Sequence, residues 1–340
     1  YRPEVRECEI YGFSRGLQLT GHVHAQICDN RIRDNTNEGI LLKDGGWNGS
    51  IYPVPVPEIH GNLIYGYGTY ALNLTGTWNR DTLPAYIDAT GNWWGTEYPS
   101  TASAAIRDRN EESTLPIVNF LPFWTDEDGS VSGDNVIAGY YDDLTVRTET
   151  SPVHVAGHVF CSGTFTVHTG VDLRFDSGRF LYLEGRADIQ GTPEVPILMT
   201  NNENDSTSAP WGGLRITDTF NGYESSLRNL QIRNASTGLY ATNAYVNVSE
   251  LAIEHCATGI ELNGPEQNGI SSRLFNCDIH NCDTGVKLVR CHGHIEESRI
   301  WRDVNVGSGT GIELTGGSQS AVYRPEVREC EIYGFSRGLQ

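Results

Sequence analysis

Two copies of the tetrapeptide GIEL, at 259–262 and 311–314, flank a GVKL at 285–288 and put Glu261, Lys287 and Glu313 at one position of a shared frame. Two carboxylates so placed are the residue types of a glycosidase acid–base pair. If the three segments are consecutive strands of a stack, the carboxylates stand about 9.6 Å apart, near the upper end of the separation used by inverting enzymes. Lys287 then lies between them. A cation there keeps both carboxylates ionised and spoils a general acid, so an alternating charge ladder accounts for these residues better than catalysis does. Glu261, Glu313 and Lys287 are the catalytic candidates should the chain be an enzyme.

Other side chains carry weaker signals. Cys256 and Cys282 each follow an isoleucine by three residues, Ile253 and Ile279, and in adjacent strands of a stack their Cα atoms come close enough for a disulfide or for a pair of buried thiols. No CxxC pair of zinc type is present. The pairs His22/His24 and His292/His294 put two imidazoles on one face of a strand, but no third metal ligand is spaced to join them. Asp126, Asp128 and Asp134 are dense in the hard oxygens that calcium prefers, yet the glycine is misplaced for an EF-hand and its closing Glu is absent. A solvated acidic linker is the simpler reading. Trp301, Tyr11 and Tyr65 follow Ile300, Ile10 and Ile64 on an outward face, where flat rings either bind sugar or are covered by loops.

The elements that must position these residues follow from composition and repetition. The chain has 340 residues, 38% of them hydrophobic, with 38 glycines, one methionine and no long stretch of 3.6-residue periodicity, which favours β-structure. A formal net charge of −19 repels nucleic acid and anionic membrane surfaces, and no run of 18 apolar residues offers a membrane span. No leader of secretory type opens the sequence, which reads as starting within a longer protein. Five Asn-x-Ser/Thr sequons, at Asn48, Asn73, Asn204, Asn234 and Asn247, fit an extracellular protein.

Residues 1–18, YRPEVRECEIYGFSRGLQ, recur unchanged at 323–340. The offset of 322 residues reads as one unit of a tandem array plus the first eighteen residues of the next. Cys330 is then a copy of Cys8, leaving seven distinct cysteines per unit. A shorter period runs inside the unit, visible in NLQIRNASTGLYA from Asn229, LAIEHCATGIEL from Leu251, CDIHNCDTGVKL from Cys277, CEIYGFSRGLQL from Cys8 and NRIRDNTNEGILL from Asn30. Its aliphatic anchors, Ile232, Ile253, Ile279, Ile300, Ile10, Ile32 and Ile64, are 21–32 residues apart. One such line cannot bury its own apolar face and must stack on the next, as solenoid coils do. In that register the residues before the anchors, Asp278, Arg299, Glu9 and Arg31, alternate in sign, so stacked neighbours attract. Two positions before the anchors, Asn30, Asn62 and Asn92 are placed to form an amide ladder, and Ser298 separates Cys277 from Cys8.

This coil pattern, N-x-I-x-x-N-x-x-G-I-x-L, resembles the right-handed parallel β-helix family, the pectate-lyase-like solenoids. GTFTVHTGVDLRFDSGRFLYLEGRADIQGTPEVPILMT (163–200) with APWGGLRI (209–216) is similar to the first coils of its surface members, and GNWWGTEYP (91–99) through VNFLPFW to their closing coil and cap. The resemblance implies an all-β solenoid of about ten or eleven coils per unit with a short capping helix, expected over Ser100–Asn110. It places the C-terminal part of one module at 1–124, an acidic linker at 125–134, the N-terminal part of the next module at 135–322 and the duplicate at 323–340. Phe120, Phe123 and Trp124 are expected to pack the cap against the following module. Enzymes of this fold carry their acids on the exposed face of the GIxL strand, where the charge ladder lies. The expected function is structural: an extracellular or cell-surface fibre, stalk or adhesin whose partners are identical modules head to tail. No cofactor is expected beyond a structural calcium. The alternative is a module that binds or degrades polysaccharide.

Overall fold

A computed structural model describes residues 2–46, 53–78, 86–203, 209–217, 224–264, 272–303, 308–316 and 324–340. The chain is all-β and folds as two compact units, Tyr1–Tyr140 and Tyr141–Gln340. Each is a parallel β-helix with three strands to a turn and three faces.

In the first unit, face 1 stacks Glu4–Arg6, Gln26–Cys28, Glu58–His60, Tyr86–Asp88 and Ile117–Asn119. Face 2 stacks Glu9–Tyr11, Arg31–Arg33 and Leu63–Tyr65, and continues as single parallel bridges at Trp93 and Trp124. Face 3 stacks Arg15–Thr20, Glu38–Lys43, Tyr70–Thr75 and Ile106–Arg107. In the second unit, face 1 has eight strands, from Leu144–Val146 to Glu326–Arg328. Its faces 2 and 3 start from one long strand, Val153–Cys161, whose first half pairs with Asp172–Phe175 and whose last part pairs with Phe180–Leu183. Above it the two faces separate. Seven turns precede the duplicated segment here, and four complete turns and a partial fifth lie in the first unit, in line with the expected coil number.

The register is that of the aligned anchors. Ile253 pairs with Ile279, Ile279 with Ile300, Ile10 with Ile32 and Ile32 with Ile64. Ile32, Ile64, Ile232, Ile253, Ile279 and Ile300 are fully buried, each such side chain contributing roughly 1.5–3 kcal/mol by leaving water. The invariant glycine of the GIxL lines has a steric cause. A Cβ on Gly259 would sit 2.5 Å from the Gly285 carbonyl oxygen and 2.7 Å from Ile279 Cγ2.

From Glu224–Arg228 onward in the second unit, and in the first three coils of the first, corners between faces 1 and 2 are one or two residues long and turn on a single residue in the left-handed region, for example Asp29 (φ 57), Glu250 (φ 56), Asn276 (φ 50) and Glu297 (φ 49). The corners after Leu144–Val146, Thr164–Val167 and Arg186–Gln190 are longer. The connection from face 3 back to face 1 absorbs most of the variation in coil length, for example 44–57 against 290–293. Inside the first corner runs the asparagine ladder. Asn30 Nδ2 donates to Asn62 Oδ1 at 2.9 Å, and Asn62 Nδ2 to Asn92 Oδ1 at 2.8 Å. The same carbonyl oxygens accept the backbone N–H groups of Asn30 and Asn62, both at 3.0 Å. Ser298 performs the equivalent task in the second unit, its hydroxyl accepting the Cys277 N–H at 3.1 Å.

The capping helix is shorter than the sequence suggests. It covers Pro99–Ala104, with Ala102 and Ser103 fully buried, and stops because the chain must close face 3. Ile106 pairs there with Leu72. Buried Asp108 then organises the turn that follows, accepting the N–H groups of Asn110 and Val118, each at 2.8 Å.

Candidate functional site

The face 3 ladder is in register, Glu261 opposite Lys287 and Lys287 opposite Glu313. The pairing is one-sided. Lys287 Nζ reaches Glu261 Oε2 at 3.7 Å, whereas Glu313 Oε1 accepts from the Thr315 hydroxyl at 3.4 Å. The expected lysine shared by both carboxylates is thus a lysine held by one. Following the column toward the start of the second unit gives Tyr240, Arg215, Tyr182 and Phe160.

In the first unit the same face carries a polar depression of about 290 Å³, lined among others by Arg15, Gln18, Glu38, Lys43, Asn73 and Thr75. Glu38 and Asn73 are buried. Arg15 Nε donates to Glu38 Oε2 at 3.0 Å and Asn73 Nδ2 donates to Glu38 Oε1 at 3.2 Å, while Asn73 Oδ1 is left without a partner. Sequence reading missed this grouping, although Glu38 faces Arg15 across one coil and Leu41 faces Asn73 across the next, which the anchor alignment would have given.

Face 2 carries the aromatic column, and its geometry argues against a sugar platform at Trp301. A sugar ring stacks on an exposed aromatic face. One face of Trp301 is covered by His280 (4.8 Å between centroids, 13° between planes) and the other by Tyr333 (6.0 Å, 17°). Its indole N–H donates to Asp278 Oδ1 at 2.7 Å. The Arg33 guanidinium lies 4.4 Å from the Tyr11 ring centre, and the Tyr65 hydroxyl accepts from Arg31 Nη1 at 3.1 Å. The covering comes from neighbouring coils rather than from loops. His280 is further held by Glu254, with Nε2 at 3.0 Å from Oε2, and Glu254 Oε1 meets Arg233 Nε at 2.6 Å.

Cys256 and Cys282 stack in adjacent turns as expected, but as free, buried thiols, which donate to the Glu254 and His280 carbonyl oxygens, each at 3.5 Å. The neighbouring Cys282 sulfur, together with burial, pushes Cys256 above the usual thiol range. Burial pushes Cys277 up to about 12. The histidine pairs diverge in behaviour. His22 and His24 meet through their Nε2 atoms at 3.2 Å, whereas His292 Nδ1 accepts the Arg324 N–H at 3.1 Å and His294 Nδ1 faces Glu326 at 3.3 Å. Asp126 spends one oxygen on its own turn, accepting the N–H groups of Asp128 and Ser130 at 3.0 Å each. Among the described residues no three His, Cys, Asp or Glu side chains converge on a metal position. Phe120 and Phe123 belong to the core of the first unit, 2% and 0% exposed, so they are not held out for a neighbouring module as expected; Trp124 bridges Trp93 on one side and Val131 on the other.

A second grouping also escaped the sequence reading. On the first coils of face 3, His158 packs edge-on against Phe180 at 5.1 Å and its Nδ1 accepts the Phe180 N–H at 3.2 Å. Burial, with Arg179 and Arg215 nearby, drives its pKa down to about 3 and keeps the imidazole neutral. The alternation of VHVAGHVFC was the available signal: it places His158 and Phe160 on one side of a strand.

Fold and surface together define an acidic parallel β-helix with ladders on its outer faces. No protein-family model, no curated protein and no solved structure matches the chain.

Proposed function

We propose that the chain is a stretch of an extracellular tandem-repeat β-helix protein, a fibre, stalk or adhesin in which the 322-residue unit recurs head to tail. The observation that carries this reading is how the two copies of the eighteen-residue segment pair. The copy at 323–340 uses one edge, Val327 opposite Ile295, Ile332 opposite Ile300 and Leu339 opposite Ile312. The copy at 1–18 uses the other edge, Val5 opposite Ile27, Ile10 opposite Ile32 and Leu17 opposite Ile40. The two sets are compatible in one segment, because a strand has two edges and each copy leaves free the edge that the other uses. A segment carrying both would link the coil of 294–315 to the coil of 26–43 with every anchor stacked, which is what head-to-tail continuity of the unit requires. The identity with pectate-lyase-like surface proteins is part of the same proposal and rests on the coil pattern and the two end signatures.

The test is to express a chain spanning two full units and image it. Continuity requires each unit to add a fixed axial increment, on the order of 50 Å for eleven coils before cap and linker. An increment below about 40 Å, or strands that run antiparallel across the repeat boundary, would overturn the proposal.

A polysaccharide-binding module is the second reading, favoured by the depression around Glu38 and Asn73. Its buried carboxylate, its amides and the cations of Arg15 and Lys43 suit hydroxyl-rich or acidic sugars. Binding on a glycan panel that is lost in Glu38→Gln would establish it, and a blank panel would remove it.

A further inference from the structure

Arg179 closes the corner before the strand Phe180–Leu183, and Arg215 sits one coil further on, opposite Tyr182 in the strand Gly213–Thr217. The Gly212 N–H donates to the Arg179 carbonyl at 2.8 Å, which fixes the two coils to each other at this point. The Arg215 guanidinium rests 3.7 Å from the centre of the Phe180 ring, with Tyr240 on the next coil at 5.9 Å. It is therefore a cation on an aromatic floor, pre-positioned by packing.

What it lacks is an acceptor. The Nε–H groups of Arg179 and Arg215 are both buried without a hydrogen-bond partner. Arg302 also has an orphaned Nε–H but pairs through its Nη groups with Asp283 and the Ser308 carbonyl. Every other half-buried arginine among the described residues brings its own acceptor: Arg33 has Glu9 and Asp34, Arg107 has Glu112, Arg109 has the Leu115 carbonyl and Arg174 has Asp172. Supply is not the reason, since carboxylates outnumber bases 43 to 24 in this chain. The nearest carboxylate on the outward column, Glu261, lies beyond Tyr240 and is engaged by Lys287. Each unmet donor is a net loss, because burial has removed its water and nothing replaces it. Two such donors on adjacent coils have one shared remedy, an anion with several oxygens.

We infer that Arg179 and Arg215 form a binding site for an oxyanion group, a carboxylate or a sulfate. The planar guanidinium fork matches such a group in two parallel hydrogen bonds. The Phe180 floor keeps Arg215 from swinging into solvent to find water instead. His158 stays neutral beneath them, so it adds no third positive charge for the site to hold when the anion is absent. Nothing in this inference depends on the tandem-array reading.

Sodium sulfate and sodium acetate are the probes, each titrated at constant ionic strength set with sodium chloride. The thermal midpoint of the protein should rise saturably with at least one of them. Sulfate alone would assign a sulfate group and acetate alone a carboxylate. The saturable part should vanish in Arg179→Gln/Arg215→Gln, leaving only the shallow, non-saturating effect that sulfate has on any fold. Arg179→Gln by itself should weaken apparent affinity at least about tenfold. A readout independent of the variants is the His158 imidazole, followed by NMR: a bound anion offsets the two arginines and must raise its titration midpoint. No saturable rise with either salt, or a rise that survives the double substitution unchanged, would overturn the inference. So would a His158 midpoint that stays put while the thermal midpoint saturates.

Discussion

Tyr333 lies ring over ring on Trp301, 6.0 Å away and 17° from parallel, while Tyr11, the same residue in the other copy of the duplicated segment, has Arg33 at 4.4 Å. A tyrosine with both neighbours would be clamped between an indole and a guanidinium. For Trp301 the consequence is immediate, because neither of its faces is free. Trp301→Ala should therefore lower stability by about 1–2 kcal/mol through two lost ring contacts. It should leave binding to any glycan unchanged, and a glycan affinity that falls with this substitution would restore the sugar-platform reading.

Asn62 has no exposed surface and takes part in five hydrogen bonds through its side chain, two accepted and three donated. In Asn62→Ala the Asn30 N–H and the Ile27 carbonyl lose their partners inside the fold. A loss of about 3 kcal/mol or more is expected, since each stranded buried group costs on the order of 1–3 kcal/mol. Because stacked coils need not unfold as one, the sharper measurement is amide exchange at Asn30, which should accelerate far more than exchange at Ile253 in the other unit.

Cys256 and Cys282 are free, buried thiols on adjacent coils. Exposed to oxidised glutathione, the pair should lose both thiol hydrogens, gain one intrachain sulfur–sulfur bond and release two molecules of reduced glutathione. Non-reducing peptide mapping would find residues 256 and 282 linked. If both instead alkylate only after unfolding and never cross-link, the stacked pair is inert packing.

The acid limb of stability should be governed in part by His158. Its folded pKa, about 3, is far below the 6.5 of an unperturbed imidazole, because burial and two arginines disfavour the charged form. The unfolded chain therefore binds a proton there that the folded chain refuses. Its contribution is complete above pH 6.5 and is lost as pH falls from 6.5 toward 3. His158→Gln keeps an acceptor for the Phe180 N–H and cannot titrate, so its stability should fall less steeply over that range in a denaturation series.

Catalysis by the face 3 ladder is also open to a direct measurement. Purified protein is expected to leave pectin, alginate and similar acidic glycans intact with or without calcium. Turnover abolished by Glu261→Gln or Glu313→Gln would show the ladder to be an active site.

The stacking direction was legible in the sequence because it rests on a strict repeat: Ile253, Ile279 and Ile300 recur with a glycine line behind them, and burial and carbonyl packing enforce both. The asparagine ladder was legible for the same reason, an identical residue at an identical offset. What could not be read were lateral contacts within and between columns. Lys287 chose Glu261 over Glu313, and Trp301 turned its faces along the stack instead of outward, because side-chain torsions decide these and periodicity is silent on them. The end of the helix at Ala104 was misjudged because helical propensity in the sequence yielded to the need for Ile106 to pair with Leu72. Arg215 continues the column of Tyr240 and Glu261, but the aligned lines begin at Asn229, and Arg179 stands at a corner outside any strand, so neither was picked out.

From Glu224–Arg228 onward in the second unit, and in the first three coils of the first, the corners between faces 1 and 2 never exceed two residues, while the return from face 3 takes whatever length a coil supplies. Contour length and axial reach are thereby uncoupled. A turn of 21 residues and one of 32 advance the stack by the same rise, about 4.8 Å. Insertions in the return connection can thus remodel the surface without altering how far the protein extends, and only the gain or loss of whole turns changes its measure.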